Sequence, residues 1–155
     1  MQLPDVTATH SLLAKAGIDA TCAQEGPGVV CRVPAESAAR TLEALRDGDA
    51  AYAYMVDLFG VDTGEGLEVT YHLRSFAREE EVYVRVAADY DGEVPSVWHV
   101  FPAALYPERE TAELFGMSFP GHPNPKRLLT TDEVEQPLLR RSTAIRTPEE
   151  VHTRD

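Results

Sequence analysis

The sequence has no long apolar run. Nothing in its 155 residues approaches the roughly 20 apolar residues that cross a bilayer. Direct membrane insertion is therefore not expected. The start, Met1-Gln2-Leu3-Pro4-Asp5, lacks the basic opening and apolar centre of a secretory signal. The chain is thus expected to stay in the cytoplasm and to meet a membrane only through partners. Cysteine is scarce, with Cys22 and Cys31 alone and no Cys-x-x-Cys pair. A zinc or iron–sulfur site built by this chain alone is therefore not expected. The two cysteines flank Glu25-Gly26-Pro27-Gly28 symmetrically. A disulfide across that turn and a pair of free thiols both fit the spacing. Reduced thiols are the expectation for a cytoplasmic protein. No Gly-x-Gly-x-x-Gly, phosphate-binding loop or Gly-x-Ser-x-Gly elbow occurs, so no nucleotide, flavin or acyl-transfer site is visible.

Positive charge is also in short supply: 14 Lys and Arg face 26 Asp and Glu, for a net charge of -12. Phosphate backbones and anionic lipids are held mainly by basic side chains, so nucleic acid and bare membrane are poor partners. The imbalance is uneven. Residues 1–120 carry 20 acids against 8 bases, whereas residues 121–155 carry 6 of each. The C-terminal part is the better candidate for docking on acidic protein surface.

What is present reads as one α+β domain with a different texture at its end. Residues 8–16 form a helical run stopped at Gly17. Residues 18–24 and 28–33 read as strands around the Gly-Pro-Gly turn. Residues 35–47 read as a second helix closed by Gly48. Three strand-like runs follow, Ala51–Val61, Leu67–Phe76 and Glu81–Ala88. In the last two, apolar and polar residues alternate. The expected fold is a two-layer α+β domain ordered helix-strand-strand-helix-three strands. Its sheet is mixed but mainly antiparallel. Seven of the 11 prolines then lie between Pro95 and Pro137. Proline fixes φ and removes a backbone donor, which leaves room for one regular helix, about Pro107–Phe115. The organisation predicted is a domain at 1–95, a helix-bearing segment at 96–130 and an extended tail at 131–155.

That helix carries the most specific residues. Pro107 suits its first position, Glu108 and Glu110 its positive end, and Gly116 a left-handed stop. Glu110 and Glu113 share a face, and Arg109 reaches Glu113 one turn on. His122 lies in Gly121-His122-Pro123, where a lone loop histidine fixes a turn through backbone hydrogen bonds. Lys126 and Arg127 follow as a basic pair. Trp98 and Phe101, just upstream, are expected to anchor the helix.

The string Glu108-Arg109-Glu110, Glu113, Leu114-Phe115-Gly116, Gly121-His122-Pro123, Lys126-Arg127-Leu128-Leu129 resembles the 30 kDa (C) subunit family of respiratory complex I. It also resembles related subunits of membrane-bound hydrogenases and of quinone- or phenazine-linked dehydrogenases. Weaker similarity runs back to about residue 50. Glu113 stands where many members have Asp. A second Gly-His-Pro-Leu-Arg is replaced by Glu135-Gln136-Pro137-Leu138-Leu139-Arg140-Arg141.

The resemblance implies a cofactor-free scaffold in the peripheral arm of a membrane-associated NADH:quinone oxidoreductase-like complex. It sits on the cytoplasmic side, in a machine that couples electron transfer to ion translocation. An energy-converting membrane-bound hydrogenase is the alternative setting. Iron–sulfur clusters, with flavin or nickel–iron according to the complex, would belong to partner subunits. The partners implied are iron–sulfur subunits and quinone-site or hydrogenase-like subunits. The expected partner interface is Glu108, Arg109, Glu110, Glu113, Phe115, His122, Pro123, Lys126 and Arg127, with Trp98 and Phe101 as anchors. A reading of another class is a stand-alone metal-dependent enzyme using Glu110, Glu113 and His122.

Overall fold

The structure is a computed structural model and describes residues 5–144. Helix α1, Val6–Lys15, begins at Asp5, whose carboxylate accepts the backbone N–H of Thr7 at 2.8 Å and of Ala8 at 3.2 Å. Strands β1, Thr21–Glu25, and β2, Gly28–Arg32, form the hairpin around Gly26-Pro27. One 3-10 turn, Ala35–Ser37, leads into α2, Ala38–Asp47. Then come β3, Tyr54–Asp62, β4, Leu67–Ser75, and β5, Glu80–Ala88. A second 3-10 turn, Pro102–Ala104, opens α3, Leu105–Phe115. Pro107 therefore occupies the third helical position rather than the first. It is tolerated there because the first four N–H groups of a helix have no intrahelical partner.

The five strands form one sheet in the order β1-β2-β5-β4-β3. Neighbours run antiparallel except β2 and β5, which are parallel. This is the mixed, mainly antiparallel α+β layer that the pattern predicts. The register puts Leu67, Val69, Tyr71 and Leu73 of β4 opposite Ala88, Val86, Val84 and Val82 of β5. Leu67, Val69, Tyr71, Leu73 and the three valines are buried on one face. Burying a Val or Leu side chain contributes about 1.5–3 kcal/mol, so this face is the main source of stability. Helices α1 and α2 cover it over β1, β2 and β5, and α3 covers it over β3. Gly60 of β3 lets α3 approach, since a Cβ there would sit 2.7 Å from Thr111 Cγ2 and 2.9 Å from Phe115 Cδ2.

Cys22 and Cys31 are direct register partners, with Cα atoms 4.2 Å apart, and are joined in a disulfide. This corrects the expectation of free thiols. Compartment argued for reduction, but hairpin register brings the two side chains together on one face.

Beyond β5 the chain returns to the same core. Val94 N–H donates to Ser118 C=O at 3.0 Å and Ser96 N–H to Pro120 C=O at 2.8 Å. Val94, Val97, Phe101, Phe115, Met117 and Phe119 join the central cluster. The expected tail, 131–155, is described as far as residue 144 and is irregular there; its last residues lie outside the described part.

Candidate functional site

The signature residues gather around α3, but they do three different things. The first group is buried. Glu108, in the first turn of α3, is wholly enclosed. Its carboxylate accepts the Ser96 hydroxyl and, at 2.7 Å, the Val97 backbone N–H. Burial pushes this carboxyl above its ordinary value, against the lowering effect of Ser96 and Val97. Glu108, expected in the partner interface, is instead turned inward as an internal latch. Its side chain faces inward because residues 96–97 return beneath the helix.

His122 closes the same latch from outside. The Asn124 backbone N–H donates to Nδ1 at 3.0 Å, so that nitrogen is the acceptor. Nε2 then carries the hydrogen and donates it to Leu105 C=O at 2.8 Å. Its distance to Glu108 Oε2 is 3.9 Å, beyond a hydrogen bond. With 3% of the side chain exposed, His122 fastens the Gly-His-Pro loop to the start of α3. The Trp98 indole N–H reinforces the loop by donating to Gly121 C=O at 3.1 Å. Phe101 is buried in the core, whereas Trp98 keeps 38% of its surface exposed.

The second group binds the following strap. Arg109 and Glu113 lie one turn apart on α3 and do not pair with each other. Arg109 donates to the carbonyls of Lys126 and Arg127, both at 2.7 Å. Glu113 accepts the backbone N–H groups of Leu128 at 2.6 Å, Leu129 at 3.0 Å, and Thr130. The expected Arg109–Glu113 contact is corrected accordingly. An irregular segment offers unpaired backbone groups, and charge-assisted bonds to them are stronger than an exposed ion pair. Burial raises the Glu113 carboxyl, but the Thr130 hydroxyl and the three amides overcome this and hold it at about 2.

A further clamp escaped sequence reasoning. Arg140 donates to Phe115 C=O, to Tyr90 C=O at 2.7 Å and to Gly116 C=O at 3.2 Å. Leu139 N–H donates to Leu114 C=O at 2.9 Å. The bonds to Leu114, Phe115 and Gly116 satisfy carbonyls left open at the end of α3. Asp62, at the end of β3, accepts Tyr90 O–H at 2.7 Å, Gly64 N–H at 2.9 Å and Arg141 N–H at 2.8 Å. The Arg141 amide and the Tyr90 hydroxyl draw its carboxyl below the ordinary range. Arg140-Arg141 after a helix-ending glycine was the available signal. Asp62 gave none, because a carboxylate at a strand end reads as solvated.

The third group faces out. Glu110, Pro123, Lys126 and Arg127 are exposed. Beside them, Tyr106 is 64% and Leu129 59% exposed, with Leu138 and Leu139 also open. Glu113 and His122 have their polar atoms engaged with backbone, so they do not pool with Glu110 into one reactive site. Among the described residues, no three or more His, Cys, Asp or Glu side chains converge as a metal site requires. No helix among them is long and apolar enough to cross a membrane.

The fold and the α3 latch define a compact α+β domain whose most specific residues hold backbone. The family model of the respiratory-chain NADH dehydrogenase 30 Kd subunit matches residues 31–148. The chain belongs to that family. It is 42% identical over 100 residues to the C subunit of NADH-quinone oxidoreductase from Phenylobacterium zucineum (strain HLK1), covering 63% of this chain and 47% of that protein. It is 43% identical over 101 residues to its counterpart from Caulobacter vibrioides (strain ATCC 19089 / CIP 103742 / CB 15), covering 62% and 51%. The chain thus spans about half the length of these relatives. Among solved structures, it is similar to a chain of the membrane-bound sulfane sulfur reductase, an archaeal respiratory membrane complex. That likeness has a TM-score of 0.64 and 26% identity, covering 75% of this chain and 70% of that one.

Proposed function

We propose that this protein is a non-catalytic scaffold subunit in the peripheral arm of a membrane-associated NADH:quinone oxidoreductase-like complex. In this reading it lies on the cytoplasmic side, against subunits that hold iron–sulfur clusters and the quinone site. The complex couples electron transfer to ion translocation, and this chain keeps its redox subunits in register. The single observation that carries the reading is the division of labour in the signature. Glu108, Arg109, Glu113 and His122 fasten the protein's own backbone. Glu110, Lys126 and the apolar Tyr106 and Leu129 are left outward. Such a mixture of apolar anchors and a polar rim suits a protein interface. The names of the relatives and the nature of the archaeal neighbour support the setting. A hydrogenase-type assembly has the same requirement for a shaped docking surface.

The test is the double variant Glu110→Lys with Leu129→Asp in the full chain. Both side chains are exposed, so folding is expected to be unchanged. Recovery of the intact complex should fall to about a tenth or less, the loss expected when an interface anchor and a rim charge are removed. Full assembly of this variant would contradict an α3 interface.

A further inference from the structure

β3, Tyr54–Asp62, is the last strand of the sheet and is bonded on one side, to β4. Among the described residues, no backbone group outside β4 bonds to residues 54–61. A strand in that position presents a row of free donors and acceptors, and natural proteins blunt such edges with shortness, Lys or Pro. The opposite edge, β1, has five residues. β3 has nine, and none is Lys, Arg or Pro. Its outward side chains are instead apolar: Tyr54 is 52% exposed, Val56 42%, Phe59 41% and Val61 39%. Phe76 continues the strip, its ring 5.3 Å from that of Tyr54. The defences on this edge are slight. One is the register shift between Met55 and Asp57, and the other is the Asp57 carboxylate, which accepts Leu58 N–H at 2.8 Å.

The chemistry of the surroundings selects the occupant. The charges that β4 and β5 present on the open face of the sheet are paired within the chain. Arg85 meets Glu25 at 3.0 Å, while Arg74 and His72 meet Glu81 at 3.0 and 3.1 Å. Apart from Asp57, whose carboxylate takes the Leu58 N–H, this face therefore offers no unpaired charge to a partner among the described residues. The free edge fits extended backbone, and the strip fits alternate apolar side chains. A second copy of this chain is a poor match, because pairing the edges would bring together two molecules of charge -12. We infer that an extended, apolar segment of another polypeptide adds to β3 as a sixth strand and packs on Tyr54, Phe59 and Val61. This rests on the reading of the chain as a subunit of a larger assembly, but it uses a surface separate from the exposed face of α3.

The test compares amide hydrogen exchange of the full chain alone and in the complex recovered with a tag from its own host. Amides of residues 54–61 that face away from β4 should exchange about tenfold or more slowly in the complex. The variant Phe59→Lys with Val61→Lys, both at exposed positions, should fold as before and recover about a tenth of the complex. Unchanged β3 exchange in a complex that does form would overturn this inference and leave the subunit reading standing. Full assembly of the lysine variant would do the same. A dimer of the isolated chain with β3 protected would make a second copy the occupant and overturn it too. Recovery of no other subunit would bring down both.

Discussion

The Glu113 carboxylate and the Leu128 backbone amide meet at 2.6 Å. This contact ties the helix that carries the family signature to the strap that follows it. One turn earlier, Arg109 takes the carbonyls of the preceding two strap residues. Two side chains four residues apart thus hold both kinds of backbone group in one short segment. The i, i+4 spacing that suggested an ion pair on the helix instead serves recognition of peptide.

Replacing Glu113 by Gln should loosen the strap without unfolding the domain. A neutral amide keeps one acceptor oxygen and loses the charge that strengthens these bonds. The expected cost is about 1–2 kcal/mol, since the site is partly exposed. Denaturant unfolding measures the loss, and faster amide exchange at residues 128–130 locates it.

The enclosed carboxylate and the strap-binding one should pull acid stability in opposite directions. Glu113 is held at about 2 against an ordinary value of 4.5. Its contribution is fully present above about 4.5 and is lost as pH falls towards 2. Glu108 is raised, so its protonated form suits the folded state better. The groups facing Glu108 are Ser96, the Val97 amide, His122, His99 and Tyr71. Its contribution therefore declines as pH rises through its raised folded value. Unfolding free energy measured across pH 2–7 should lose part of its acid-side slope in Glu113→Gln, the rest belonging to carboxylates such as Asp62 that are also drawn down. Glu108→Gln should remove the opposing slope.

At neutral pH, Glu108→Gln should change stability by less than about 1 kcal/mol, because it keeps the shape of the side chain and an acceptor for Val97 N–H. Glu108→Ala should cost about 2–4 kcal/mol, through a cavity and an orphaned amide. Thermal unfolding of the pair distinguishes a hydrogen-bonded latch from a group that merely fills space.

Gly116 is required twice. Its φ is +67°, and a Cβ would come 2.7 Å from Pro137 Cγ and 3.1 Å from Arg140 Nη2. Gly116→Ala should cost about 1–3 kcal/mol from backbone strain and displacement of the strap. Loss of protection at the Leu139 amide, which bonds to Leu114 C=O, is the local readout.

Much of the fold was legible because it follows from periodicity. Alternation along Leu67–Phe76 and Glu81–Ala88 set β4 and β5, and glycines marked the ends of α1, α2 and α3. The parallel step between β2 and β5 was not specified, since local pattern does not encode which distant strands meet. The site was legible as a family signature, yet the roles of its residues were not. Glu108 looks like any first-turn acid until residues 96–97 are seen to return beneath it. Arg109 and Glu113 looked self-paired because the strap that separates them is distant in sequence. The disulfide was hidden for a similar reason: spacing about a turn does not fix register, and it is register that sets Cys22 directly opposite Cys31.

In the proposed function this chain acts as a held part of an assembly. The most direct measurement is electron transfer by the complex recovered with the tagged full chain, by the same complex stripped of it, and by the chain alone. Activity should reside in the assembly, fall when this chain is removed and return when it is added back, while the chain alone turns over no substrate. Turnover by the isolated chain, or undiminished activity in the stripped complex, would contradict it.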